Sequence, residues 1–228
     1  MSVQRLLGAL ATACSLLVVW SPMPASAASF TLQTANNDAG NQAYSGVGVR
    51  FNVNALISVS ALGIFDSNQN GIAGGPLTPL TADLYLIPNP GVPGVGVLVA
   101  SQTFDSASPG TLDARYRFKS ITPLVLVPGE YVLAGYGWTD ADPEHNCNNG
   151  GICETFNNGG GALTYIDSPF GGGNDLPGVI PTNTTGLTTN YFSAANMQFT
   201  VVPEPSTWLL VATVGLGLLV GYRRWGAA

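Results

Sequence analysis

Charge is scarce in this 228-residue chain: 9% of residues are charged, and there is one histidine. Each shortage excludes something. With His145 as the only imidazole, a zinc site built on several histidines cannot form, and a Ser-His-Asp arrangement would have to use that residue without any G-x-S-x-G elbow. Between residues 28 and 205 the cations are only Arg50, Arg115, Arg117 and Lys119, against all 13 acids. That balance removes the basic footprint of a nucleic-acid binder and leaves an acidic, lysine-poor surface that suits life outside the cell. The glycine runs at 159–161 and 171–173 do not lie between a strand and a helix, so no phosphate-cradling loop is present. Paired carboxylates could serve a glycosidase, but in so acidic a chain chance pairs are expected.

What is abundant points to β-structure. The 29 glycines and 16 prolines break helices and favour turns, while the remainder is rich in Val, Thr, Leu, Tyr and Phe. Strands are predicted at 30–34, 46–54, 57–65, 81–87, 97–104, 114–118, 122–127, 130–138, 162–166 and 191–201. This number and spacing predict an all-β, antiparallel β-sandwich or jelly-roll-like domain. In "VGVRFNVN" the apolar Val47, Val49, Phe51 and Val53 share one face and Arg50, Asn52 and Asn54 the other, the two-residue period of a half-buried strand. "ARYRFK" repeats it, which predicts Arg115, Arg117 and Lys119 on a solvent face. The strand after the Pro128-Gly129 turn is apolar on both faces and belongs in the middle of a sheet. Residues 140–161 and 169–190 read as long loops, and Asn183 opens a glycosylation-acceptor triplet.

The N-terminus reads as a secretory signal peptide over residues 1–27. Arg5 is a minimal positive region, residues 6–20 are apolar, and Ala25-Ser26-Ala27 offers small residues for cleavage. A lipoprotein alternative would use Cys14, but Ala11 stands three residues before it, where a large aliphatic is needed. Removing the signal leaves Cys147 and Cys153, and an even count in an exported chain predicts a disulfide. Closing so short a loop contributes about 2.4 kcal/mol.

Two loops carry groups of oxygen ligands. In "FDSNQNGI", Asp66, Asn68 and Asn70 alternate before Gly71, the first half of a calcium loop. The twelfth position is Leu77, where a bidentate Glu belongs, and the alternative is a turn whose Asp and Asn bond their own backbone. "TDADPEHNCNNGGICE" gathers Asp140, Asp142, Glu144, His145, Asn146 and Glu154 around the predicted disulfide. It reads either as a cation- or glycan-binding loop or, the reading preferred here, as a solvated acidic loop held by the cysteine pair.

The C-terminal residues 202–228 form a unit of their own. Residues 208–222 lack charge and span about 22 Å as a helix, short of the roughly 30 Å hydrocarbon core. Gly215, Gly217 and Gly221 would weaken it as a core helix in water. Trp208, Tyr222 and Trp225 suit membrane interfaces, and Arg223 and Arg224 would stay on the cytoplasmic side. Val202-Pro203-Glu204-Pro205-Ser206, the apolar run and Arg223-Arg224 together resemble the PEP-CTERM sorting signal of exported bacterial proteins, also labelled an ice-binding-protein C-terminal domain. The resemblance implies export through the Sec translocon, transient anchoring in the inner membrane by the C-terminal helix, and processing near Pro203-Glu204-Pro205 by an exosortase-type enzyme. It further implies delivery to the cell surface or extracellular matrix, with exopolysaccharide as a partner. The body, residues 28–201, is similar to the uncharacterised β-domains of such proteins in "VSALGIFDSNQNGI", "PGEYVLAGYG" and "YFSAANMQF".

The expectation is therefore a non-enzymatic surface or matrix protein of a Gram-negative-type envelope. The alternative is a calcium-assisted carbohydrate-binding module using Asp66, Asn68 and Asn70 with aromatics such as Tyr136 and Trp138. A hydrolase of matrix polymers is the third class. No cofactor is expected apart from the calcium ion of the alternative.

Overall fold

The period-two alternation of residues 46–53 becomes an eight-residue strand whose Val47, Val49, Phe51 and Val53 are all buried, while Arg50 and Asn52 remain half-buried on the other face. The computed structural model describes residues 27–32, 41–90, 94–147, 153, 155–171, 176–184, 192 and 194–203. Most of the predicted signal peptide and the predicted C-terminal helix, including Ala25, Glu204, Pro205, Arg223 and Arg224, lie outside these. Among the described residues, no helix is long and apolar enough to cross a membrane.

The described strands are β1 (Ala28–Ser29), β2 (Thr31–Leu32), β3 (Gly46–Val53), β4 (Ile57–Phe65), β5 (Leu80–Ile87), β6 (Val97–Phe104) and β7 (Thr111–Asp113). They continue with β8 (Tyr116–Leu126), β9 (Gly129–Tyr136), β10 (Thr155–Phe156), β11 (Leu163–Asp167), β12 (Pro169–Phe170), β13 (Asn183–Thr184) and β14 (Ala195–Val201). Pairing is antiparallel throughout. One sheet runs β1-β14-β4-β8-β7, and a larger one runs β13-β12-β3-β9-β5-β6 with β11 also on β3. Their inner faces share one core that includes Val49, Phe51 and Leu133 from the larger sheet and Leu62, Ile64, Met197 and Phe199 from the smaller, as an all-β sandwich requires.

β9 lies between β3 and β5, the central position expected for a strand apolar on both faces. The two strands predicted at 114–118 and 122–127 are instead one. β8 runs through both, and the interruption is a bulge: Ala61 pairs with Ser120 and Val59 with Leu124, so residues 121–123 face Ser60. Pro123 has no N–H to donate and sits in that irregular stretch. Of the predicted strand at 30–34, Thr31–Leu32 forms β2 on β10, while Ala28–Ser29, before its start, forms β1 on β14, and Phe30 divides the two. At the division, Phe30 packs its ring 4.9 Å from Phe51 and 5.0 Å from Phe156. Here the buried Asn196 amide stands in for strand backbone, accepting from Thr31 N at 2.9 Å and donating to Thr31 O at 3.0 Å.

The two sheets meet along the seam between β6 and β8. In its upper half, Gln102 Nε2 donates to Ser120 O at 3.2 Å, and Lys119 donates to Thr103 O with its ammonium 5.1 Å from the Phe104 ring centre. β7 pairs only residues 116–118 of β8, and among the described residues no further strand covers the rest of that edge. A lysine, a proline and a bulge on such an edge discourage pairing with another chain. Within the smaller sheet, the Phe118 ring lies across Gly63, where an added Cβ would come within 2.6 Å of it.

The outer face of the larger sheet holds a second, smaller core of Tyr85, Ile87, Val132, Ala134, Tyr136 and Ile180. Residues 178–182 cross this face as a strap. Gly178 N donates to Asp83 Oδ2 at 2.9 Å and Tyr136 Oη to Val179 O at 2.6 Å, while Tyr85 Oη donates to Asp83 at 2.8 Å. Burial, the largest cause, pushes the Tyr85 phenol well above its ordinary 10.0; the hydrogen bond with Tyr136 opposes the rise, and the hydrogen bond to Asp83 and that carboxylate's charge add to it. A raised folded-state pKa means that stability is intact below the unfolded value and is lost as pH climbs through the folded one. Tyr85→Phe is thus expected to lower stability at neutral pH by about 1–3 kcal/mol, and to flatten its decline above pH 10. Urea unfolding at neutral and alkaline pH checks both; an unchanged alkaline slope contradicts the assignment.

Candidate functional site

Register sorts the loops into two poles. Ile57 pairs with both Val201 and Leu126, and Val53 with Gly129, so the 54–56 and 127–128 connections and the end of β14 share one pole. Ile87 pairs with Glu130, which adds the turn beginning at Pro88. At the opposite pole, Phe65 pairs with Tyr116, Leu80 with Phe104 and Gly46 with Tyr136. There the loops 66–79, 105–110 and 137–147 gather.

The first pole is where the resemblance-carrying tail begins. β14 is held between β1 and β4, and the last rung beyond it is Val202 N donating to Leu56 O at 2.9 Å. Pro203 follows, exposed and outside any strand. Ala28 pairs with Phe199, so the exposed Ala27 leaves from the same pole. Val202, Pro203 and Ala27 are thereby placed at one end of the sandwich.

The second pole holds the oxygen-rich loops, and it uses its acids internally. Asp66 is 1% exposed; its Oδ2 lies 2.6 Å from Arg117 Nε, and both carboxylate oxygens accept from Gly71 N at 3.2 Å. Asn68 and Asn70 are exposed, and the Asn70 side-chain amide lies 3.0 Å from Ser67 O. The three residues that alternate in sequence thus divide between interior and surface. The turn that results is a backbone-bonded one with Asn68 at φ 59°. Among the described residues there is no group of three or more His, Cys, Asp or Glu able to hold a metal ion.

Of the predicted basic row only Arg115 is buried, 8% exposed with its carbonyl accepting from Asp66 N at 2.8 Å; Arg117 and Lys119 are half-buried on the face opposite Tyr116 and Phe118, and Lys119 reaches across the seam. Because β8 begins in a turn at residues 114–115, Arg115 precedes the alternation rather than obeying it.

The loop read as solvated is mostly buried. Asp140 is exposed, but Asp142, Glu144, His145 and Asn146 are interior. Asp142 accepts from Ala73 N at 2.9 Å and Gly74 N at 2.8 Å, tying this loop to the one before β5. Glu144 exchanges backbone bonds of 3.0 Å with Gln42, and His145 packs its ring 5.7 Å from Phe65. Cys147 and Cys153 lie in disulfide geometry with Cα atoms 4.9 Å apart, closing the loop from its far side. Sequence reading missed this clamp role of Asp142. Its signal was the Thr139-to-Asp142 spacing, which lets Thr139 Oγ1 accept from Asp142 N at 3.1 Å.

Other carboxylates are likewise engaged: Asp167 forms a bidentate pair with Arg50, and Glu130 lies 3.5 Å from the same guanidinium. Tyr136 and Trp138 are 0% and 6% exposed, so neither offers a ring face to a sugar. No family model, curated protein or solved structure matches this chain.

Asp66→Ala leaves Arg117 without its buried counter-ion and Gly71 N without an acceptor, and is expected to cost about 3 kcal/mol in denaturant unfolding. A loss below the scatter of surface substitutions would contradict the pairing. Thermal unfolding in calcium and in chelator is expected to coincide. A calcium-dependent rise in Tm that Asp66→Asn abolishes would instead establish a metal loop.

Proposed function

We propose that this chain is an exported, non-catalytic surface or extracellular-matrix protein, sorted through its PEP-CTERM-like C-terminus. The carrying observation is the junction at Val202-Pro203, where a fully paired strand gives way to the motif. Pro203 and Pro205 prevent that peptide from continuing as helix or paired strand. A processing enzyme could therefore engage Glu204 in an extended peptide without unfolding β14. The placement of Ala27 and Pro203 at one pole supports the same reading, since the segments that meet the translocon and the membrane can then face one bilayer.

In this reading the signal peptide directs export through Sec, and residues 208–222 hold the chain in the inner membrane until an exosortase-type enzyme cuts near the motif. The sandwich is then released to the surface or to an exopolysaccharide matrix. Its role there is structural, supported by the internal use of its acids and the blunted β8 edge. The carbohydrate-binding alternative has no observation in its favour at Tyr136, Trp138 or Asp66.

Mass spectrometry of the protein from its native envelope is expected to find a start near Ala28 and an end near Pro203-Glu204-Pro205. Replacing Pro203, Glu204 and Pro205 together by alanine should retain the uncut form in the inner membrane. An intact tail on protein recovered from the cytosol would sink the proposal.

A further inference from the structure

The tail pole is not only where the motif begins; among the described residues it is also without exposed charge. Residues 53–65, 84–104, 120–129 and 195–203, which supply its strand ends and turns, contain no charged side chain. Among the described acids only Glu130 lies there, and it is buried beside Arg50. The exposed or half-exposed acids Asp105, Asp113 and Asp140 all belong to the opposite half. The next acid after β14 is Glu204, within the motif itself.

The same pole exposes aliphatic side chains along the seam. Gln102 and Lys119 close its upper half, but toward the tail pole β6 and β8 leave Val97 and Leu98, and Val125 and Val127, about half exposed. Val95 continues the row from the turn before β6. Val127 follows Leu126, which pairs with Ile57, and Ile57 pairs with Val201 on its other side. The rim therefore lies about two strand spacings, roughly 10 Å, from the point where the tail leaves.

We infer that this rim seats on the lipid headgroup layer while the tail is in the membrane. The inference rests on the sorting reading. From Pro203 to Trp208 there are five residues, an extended reach of at most about 17 Å, so the pole is held close to the bilayer once the apolar run has entered it. Five aliphatic side chains would bind lipid weakly on their own. Tethering makes the contact intramolecular, and a weak contact then suffices to orient the domain. The acidic half consequently faces away from anionic headgroups, and the processing motif is presented near the membrane plane.

The test uses the full chain with Cys14→Ser and its disulfide intact, carrying a nitroxide at Leu98→Cys, Val127→Cys or Asp140→Cys, in phosphatidylethanolamine–phosphatidylglycerol vesicles. Collision with lipid-soluble oxygen relative to aqueous nickel is expected to be several-fold higher at positions 98 and 127 than at 140. Adding Val97→Ser and Val125→Ser should erase the contrast at position 98 without altering far-ultraviolet circular dichroism. Equal water access at all three positions in vesicle-bound chain overturns the seating but leaves the sorting reading standing. Dipolar coupling between labels at position 98 on two chains, without oxygen access, would assign the rim to a second copy instead. A chain that fails to float with vesicles overturns both.

Discussion

The burial of two facing sheets in one core is the constraint on which everything else in this protein depends. A side chain such as Phe51, Leu62 or Leu133 contributes roughly 1.5–3 kcal/mol when fully buried, and all three are inaccessible to solvent. With so few charges and with glycine and proline interrupting most segments, no long helix competes for these residues. The core requires β3, β4, β9 and β14 to hold their register, because a one-residue slip would turn Val49 and Phe51 outward and Arg50 inward.

Once that register holds, the ends of the strands acquire different characters. At the pole away from the tail, loops too polar to join the core are drawn together by carboxylates: Asp66 on Arg117 and Gly71, and Asp142 on Ala73 and Gly74. Burying these acids demands such partners, since an unpaired buried charge is costly. At the tail pole the 54–56 and 127–128 connections carry no charge, and the tie there is an amide: Asn54 Nδ2 donates to Gly161 O at 2.9 Å and to Thr164 Oγ1 at 2.8 Å. The polarity of the domain follows from where a small number of charges could be satisfied.

Strands with strong alternation were legible before the structure. The predicted bounds 57–65 and 97–104 coincide with β4 and β6, and β3 and β5 differ by one residue at one end. Elements of two or three residues, such as β7, β10, β12 and β13, were not, since they are too short to show a period and exist because a neighbouring edge accepts them. β8 was read as two strands, 114–118 and 122–127, whereas it runs on through 119–121 because the pairing partner β4 absorbs the extra residues as a bulge. The solvent face assigned to Arg115 and the solvated state assigned to Asp142 and Glu144 failed for one reason: composition reports that a side chain is charged, not whether a partner will meet it.

Local sequence by itself determined the β class, the central place of the strand after Pro128-Gly129, the cysteine pairing and the resemblance carried by Val202 to Ser206, because each depends on residue type and short-range spacing. Tertiary structure alone decided strand order, the inward turn of Asp66, the burial of Tyr136 and Trp138, and the placement of Ala27 and Pro203 at one pole. Those outcomes depend on contacts between residues far apart in sequence. Asn196 holding Thr31 has no trace in the residues on either side of it.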